Sequence, residues 1–174
     1  MCGITGILHF NKLPDAPQRV MKMTNAIAHR GPDAEGFYDE PAVALGHRRL
    51  SIIDLSGAAN QPFIDPTGNY VMVFNGEIYN YLELKQQLSD YPFTTSSDTE
   101  VLMAAFCKWG IDCVKVLEGM FAFAIWDKRN ETLWLARDRM GVKPLYFFRN
   151  DNATAFASEK RSLLASSLIK PSID

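Results

Sequence analysis

Gly119-Met120-Phe121-Ala122-Phe123-Ala124-Ile125-Trp126 is the stretch on which the fold turns. Both alternate sets of positions are apolar, so a strand formed here has no face to give to water and must be covered on both sides. Working outward, Tyr70-Val71-Met72-Val73-Phe74 has the same character. Short strands are expected at 133–136, 145–148 and 153–157, joined by the turn signals Lys128-Arg129-Asn130, Gly141 and Asn150-Asp151-Asn152, which suggests an antiparallel meander. Toward the N-terminus, strands are expected at 3–10, 35–39 and 42–47. Between them Asp15 starts a helix with Gln18 as capping-box partner and an apolar stripe at Val20, Met23 and Ile27, ended by Gly31-Pro32. The segment His29-Arg30-Gly31-Pro32-Asp33 reads as a structural helix exit and turn. Two-faced strands together with one-sided helices imply an α+β fold, sheet packed on sheet with helices outside.

Three further features concern local geometry. Residues 56–69 hold Gly57, Pro62, Pro66 and Gly68, the densest loop signal in the chain. Asn75-Gly76 would ordinarily mark a hairpin, but Ile78, Tyr81, Leu82 and Leu88 have helical spacing. Asn75-Gly76-Glu77 is therefore expected at a strand-to-helix junction, where backbone N–H groups are unpaired. Ser97-Asp98-Thr99-Glu100 is a capping box opening a helix to about Lys108, and a last helix is expected near 161–166.

Length and composition bound the function. At 174 residues the chain suits one domain, and 47% hydrophobic with 22% charged residues is ordinary for a globular protein. A formal net charge of −2 gives no electrostatic preference for nucleic acid or an anionic membrane, and neither is expected as a partner. No apolar run approaches the ~20 residues needed to span a bilayer, and no secretory leader precedes Cys2, so a cytoplasmic location is expected. Cys107 and Cys113 read as buried thiols, and His9, His29 and His47 have no metal-ligand spacing, so no metal site is expected.

The N-terminus, Met1-Cys2-Gly3-Ile4-Thr5-Gly6-Ile7, carries the chemistry. Met before Cys-Gly is readily trimmed, which would leave Cys2 as the first residue with its thiol and free α-amine on one Cα. Reference pKa values of roughly 7.7–8.0 for the amine and ~8.5 for the thiol make this a nucleophile that carries its own general base.

Several ordered motifs then converge: Cys2-Gly3-Ile4, His29-Arg30-Gly31-Pro32-Asp33, Arg49-Leu50-Ser51-Ile52-Ile53-Asp54, Asn75-Gly76-Glu77-Ile78-Tyr79-Asn80, Ser97-Asp98-Thr99-Glu100 and Ala136-Arg137-Asp138-Arg139-Met140-Gly141-Val142-Lys143-Pro144-Leu145-Tyr146. With these in view the chain resembles the glutaminase domain of glutamine-dependent asparagine synthetases. These are class II glutamine amidotransferases, N-terminal-nucleophile hydrolases with a four-layer αββα sandwich. The resemblance covers nearly the whole chain. It implies that Cys2 attacks the side-chain amide of L-glutamine, forming a thioester and releasing ammonia. By the same resemblance Asn75 and Gly76 form the oxyanion hole, Arg49 holds the substrate α-carboxylate, Glu77 and Asp98 take the α-ammonium, and the backbone of Leu50 to Ile53, Ile52 included, completes the pocket.

No Ser-Gly-Gly-x-Asp pyrophosphate loop and no G-x-x-x-x-G-K-[ST] motif occurs in the 174 residues. The expectation is therefore that residues 1–174 are one glutaminase domain of a longer chain. ATP and Mg would be needed only in a C-terminal synthetase domain, the expected partner, and this domain would need no cofactor. Aspartate is the default ammonia acceptor by resemblance, with a sugar or another carboxylate as the alternative. A homodimer is left open. The rival from another class is an inactive interaction module, against which retention of Cys2 argues.

Overall fold

The computed structural model describes residues 1–169; the chain end at Pro171 and Asp174, read from sequence as uncapped and close to a domain junction, lies outside them. Its elements are β1 (Gly3–His9), α1 (Ala16–Asn25), β2 (Ala34–Glu40), β3 (Val43–Arg49), β4 (Phe63–Ile64), β5 (Tyr70–Ile78), α2 (Tyr81–Gln87), α3 (Asp98–Trp109), β6 (Gly119–Asp127), β7 (Thr132–Arg137), β8 (Tyr146–Arg149), β9 (Ala153–Ala157) and α4 (Lys160–Ala165). One sheet has the order β2-β3-β1-β9-β8, the other β4-β5-β6-β7, and the ladders described are all antiparallel.

β6 shows why two sheets and two helical layers are needed. Phe121, Phe123 and Ile125 enter a core shared with Met72, Phe74 and α3, while Ala122, Ala124 and Trp126 enter another shared with Ile4, Leu45, Val73 and Phe156 between the sheets. On the far side, Ile7, Ala44 and Ala155 pack against Val20 and Met23 of α1 and Leu163 of α4. The layers are thus helix, sheet, sheet, helix, as expected from the two-faced strands. Full burial of side chains such as Trp126, Phe123 and Phe156 is worth roughly 1.5–3 kcal/mol each relative to exposure. The sheets approach closely at Gly6, where a Cβ would lie 2.5 Å from the Phe156 ring.

Four local expectations need correction. The segment 133–157 is not one meander: β7 pairs with β6 in one sheet, whereas β8 and β9 pair in the other, so the chain crosses between sheets after Arg137. The residues alternate equally well in either sheet, and only the packing of Leu145 into the inter-sheet core decides the crossing. The Asp15–Gln18 capping box does not form; the Asp15 carboxylate instead takes the Arg19 guanidinium at 2.8 Å one turn on. Only half of the second box forms. Ser97 caps α3 by accepting the Thr99 N–H at 3.0 Å, but Glu100 turns away to hold the N–H groups and hydroxyls of Thr94 and Thr95. Asn75-Gly76-Glu77 is not a junction either, because β5 continues through it to Ile78, pairing these residues with Ala122, Phe121 and Met120.

Candidate active site

Strand alternation brings the chemistry to one end of the gap between the sheets. In β1, Ile4 faces the inter-sheet core, and the same alternation carried back two residues points Cys2 into that gap. In β3, Val43 and Leu45 set the face shared by His47 and Arg49; in β5, Val71 and Val73 set the face shared by Asn75. The apolar core stops where these polar residues start, leaving a cavity of about 180 Å³. Every site residue expected from sequence lines it: Cys2, Arg49, Leu50, Ile52, Ile53, Asn75, Gly76, Glu77 and Asp98.

Cys2 is partly buried, and its Sγ meets only Leu50: it accepts from the Leu50 N–H at 3.4 Å and donates to the Leu50 carbonyl at 3.5 Å. Burial pushes the thiol above its ordinary pKa, and the Leu50 N–H offsets this only in part. No imidazole or carboxylate hydrogen-bonds the sulfur among the described residues, so thiolate formation needs a base from elsewhere. The Cys2 carbonyl accepts from Arg30 Nε at 2.9 Å, and Glu159 pairs with Arg30 at 3.1 Å. The His29-Arg30 segment, read from sequence as structural, therefore holds the nucleophile's backbone. Its turn-like composition gave no sign of this, since the contact spans 28 residues of chain.

Asn75 is 1% exposed, and both its amide nitrogen and oxygen are sealed from solvent without a hydrogen-bond partner. A buried amide left unpaired costs free energy, and such a group facing a cavity beside a thiol is poised to donate to a ligand. Gly76 supplies a second donor by register. The Phe74 N–H points off the open edge of β5 to Gln61 Oε1 at 2.5 Å, and the Ile78 N–H does so to Asp98 Oδ2 at 3.0 Å. Alternation sends the Gly76 N–H to the same edge, between these two satisfied neighbours. A Cβ at Gly76 would collide with the Met120 carbonyl and the Phe74 ring, so the residue must be glycine for the strands to pair here. The expected unpaired backbone donor is thus present, but on the edge of a continuous strand.

Arg49 is 7% exposed, and its guanidinium donates to the Ser56 carbonyl and Asn60 Oδ1, each at 2.7 Å, and to the Asp54 carbonyl. It anchors the loop that carries Leu50, Ile52 and Ile53. Two of its five N–H groups, Nε–H and one on Nη2, have no described partner and can meet a carboxylate. Asp98, 6% exposed at the start of α3, has its carboxyl pushed up to about 6, first by burial and further by Glu77. Two acidic groups in one cleft with no described cation paired to either form an incomplete charge set, and an ammonium group would complete it.

Supporting residues also emerge that the sequence did not single out. Gln61 bonds the Phe74 N–H and reaches Thr99 Oγ1 at 3.4 Å, tying the edge of β5 to α3. His47 is fully buried, and burial pushes its imidazole down to about 4. The neutral ring donates from Nε2 to the Phe74 carbonyl at 3.1 Å, the residue just before Asn75. The exposed Asp54 carboxylate, drawn down to about 2 by Ser56 and Ser96, links the Arg49 loop to the approach to α3. Met120 and Lys143 complete the wall. Their only sequence signal was membership of long motifs.

The known proteins most informative here share this arrangement. The family model of the glutamine amidotransferase domain matches residues 1–174. The glutamine-hydrolysing asparagine synthetase 1 of Bacillus subtilis is 43% identical over 171 residues, which is 94% of this chain and 27% of that protein. Amidase chry2 of Gibberella zeae is also 43% identical, over 95% of this chain and 26% of its own length. The chain thus spans about a quarter of the length of these curated relatives. Among solved structures, the glutamine phosphoribosylpyrophosphate amidotransferase of B. subtilis superposes with a TM-score of 0.79 at 25% identity, over 95% of this chain and 44% of that one. A two-sheet sandwich with Cys2 and a pair of free donors at its end, matched from first residue to last by one family model, leads to a single assignment: the chain belongs to the glutamine amidotransferase domain family.

Proposed function

We propose that this chain hydrolyses the side-chain amide of L-glutamine through a Cys2 thioester, and that the ammonia serves an ATP-dependent amidation in a further domain of a longer parent chain. Aspartate is the acceptor best supported, because the relative with the broadest activity-bearing name is a glutamine-hydrolysing asparagine synthetase. The observation that carries the reading is the sealed, partnerless amide of Asn75 in the same cavity as a thiol with no side-chain base.

In this reading Met1 is removed, and the freed α-amine takes the Cys2 thiol proton as Sγ attacks the amide carbon. The carbonyl oxygen becomes an oxyanion facing Asn75 Nδ2 and the Gly76 N–H, donors that are fixed in place before the reaction begins. Collapse of the adduct breaks the C–N bond, and the ammonium proton passes to the departing nitrogen to give ammonia. Water, deprotonated by the same amine, then attacks the thioester and frees glutamate with the thiol restored. Arg49 fixes the substrate α-carboxylate and Glu77 with Asp98 the α-ammonium, so that the amide is delivered to Sγ.

Intact-mass measurement paired with a glutamate-release assay tests this. Chain lacking Met1 should release glutamate and be labelled at Cys2 by a glutamine-analogue electrophile. Chain retaining Met1 folds but is inactive, because its Cys2 nitrogen is an amide with no useful basicity. Full activity in uniformly Met1-bearing protein overturns the N-terminal-nucleophile mechanism, and trimmed protein that neither hydrolyses glutamine nor reacts overturns the glutaminase reading.

A further inference from the structure

Lys143 is a charged residue that the scheme above does not use, yet it is only 5% exposed and lines the Cys2 cavity. Its backbone is firmly held. The Lys143 N–H donates to Asp138 Oδ2 at 3.0 Å, the same carboxylate oxygen takes the Phe121 N–H of β6 at 3.3 Å, and the Lys143 carbonyl accepts from Arg137 Nε at 2.6 Å. Its ammonium has no ion-pair or hydrogen-bond partner among the described residues. The nitrogen is nevertheless absent from the sealed partnerless atoms, so it keeps contact with open space, and the cavity provides that space.

The sheet order places this cation. Arg49 ends β3 on one flank of β1, whereas Lys143 lies on the link from β7 to β8, on the other flank beyond β9. The groups suited to the amino-acid end of a substrate, Arg49, Glu77 and Asp98, gather at the β3, β5 and α3 side. An unpaired ammonium in a largely buried position is unfavourable unless an anion answers it. The reacting end of the pocket generates such anions: thiolate, tetrahedral oxyanion and, after hydrolysis, a new carboxylate.

We propose that Lys143 is an anion-binding residue at the reacting end of the cavity, its ammonium serving as counter-charge to the γ-carboxylate of the glutamate product and to other anions beside Cys2 Sγ. The proposal deepens the glutaminase reading and rests on it for the identity of the product. The charge itself can be read without turnover, by alkylating Cys2 with anionic iodoacetate and with neutral iodoacetamide. In Lys143→Met the ratio of the two rates should fall by on the order of tenfold, the effect of one unit charge several ångströms away at intermediate dielectric, and Lys143→Arg should restore it. In the hydrolysis assay, inhibition by L-glutamate should weaken by a similar factor in Lys143→Met, while KM for glutamine, neutral at that end, changes by less than about threefold. If Lys143→Met does not fold, Lys143→Gln is read instead. An unchanged alkylation ratio in a folded variant, or a Cys2 that neither reagent reaches, overturns the proposal. A lowered ratio without any glutamine hydrolysis retains the anion site and removes the glutaminase reading.

Discussion

Replacing Asn75 by alanine separates catalysis from stability in a way few other side chains of this protein allow. The Asn75 amide is buried with neither nitrogen nor oxygen bonded, so the folded protein bears its desolvation unpaid, a cost of about 1–3 kcal/mol for such a group. Truncation removes that cost but leaves a small void beside Val73 and Ala122, and filling lost contacts near an existing cavity costs a similar amount in the opposite sense. The two offset each other, and unfolding stability should change by no more than about 1 kcal/mol. Turnover behaves differently. Loss of one of two oxyanion donors should lower kcat for glutamine by on the order of 10²–10³, with KM nearly unchanged, because the donor acts on charge that develops in the transition state. Steady-state glutamate release by Met1-trimmed protein, with urea unfolding of the same sample, reads both quantities. A rise in KM without a fall in kcat refutes the oxyanion role. A loss of several kcal/mol of stability with proportionate loss of activity would instead make Asn75 a structural residue.

Two further predictions concern the amino-acid end of the pocket. Arg49→Lys should raise KM for glutamine far more than it lowers kcat, since a point charge replaces a planar fork remote from the reacting carbonyl, and equal losses in both would contradict that role. Asp98 gives a pH signature. Its carboxyl is pushed up to about 6, so the native state holds this proton more tightly than the unfolded chain does. The stability it contributes is present below the ordinary carboxylate range and is lost as pH rises through about 6, a difference of up to ~3 kcal/mol by pH 7. Asp98→Asn keeps an oxygen for the Ile78 N–H and should be more stable at pH 7 by some fraction of that amount, measured by thermal unfolding, yet bind glutamine poorly. In the native protein KM for glutamine should rise as pH falls below about 6, and a flat profile between pH 5 and 8 would remove Asp98 from ammonium recognition.

The sequence by itself determined the layered architecture, because β6 is apolar on both faces and α1 on one, and such elements can be buried only as two sheets between helices. It also named the residues that line the cavity, since ordered motifs fix residue identity whatever the path of the chain. What it could not determine was which strand edges stay open. Asn75-Gly76 looked like a break between strand and helix, but pairing with Phe121 and Ala122 outweighed the local turn preference, and the free N–H of Gly76 follows from register, a long-range property. Likewise the composition of 133–157 did not say that β8 and β9 leave the sheet of β7, and it is this crossing that brings Lys143 to the cavity. Arg30 on the Cys2 carbonyl and His47 on the Phe74 carbonyl are bonds between residues 28 and 27 apart. Local pattern fixes which face of an element is apolar; only the closing of the sandwich decides which polar groups at its end are left without partners, and those are the ones available to a substrate.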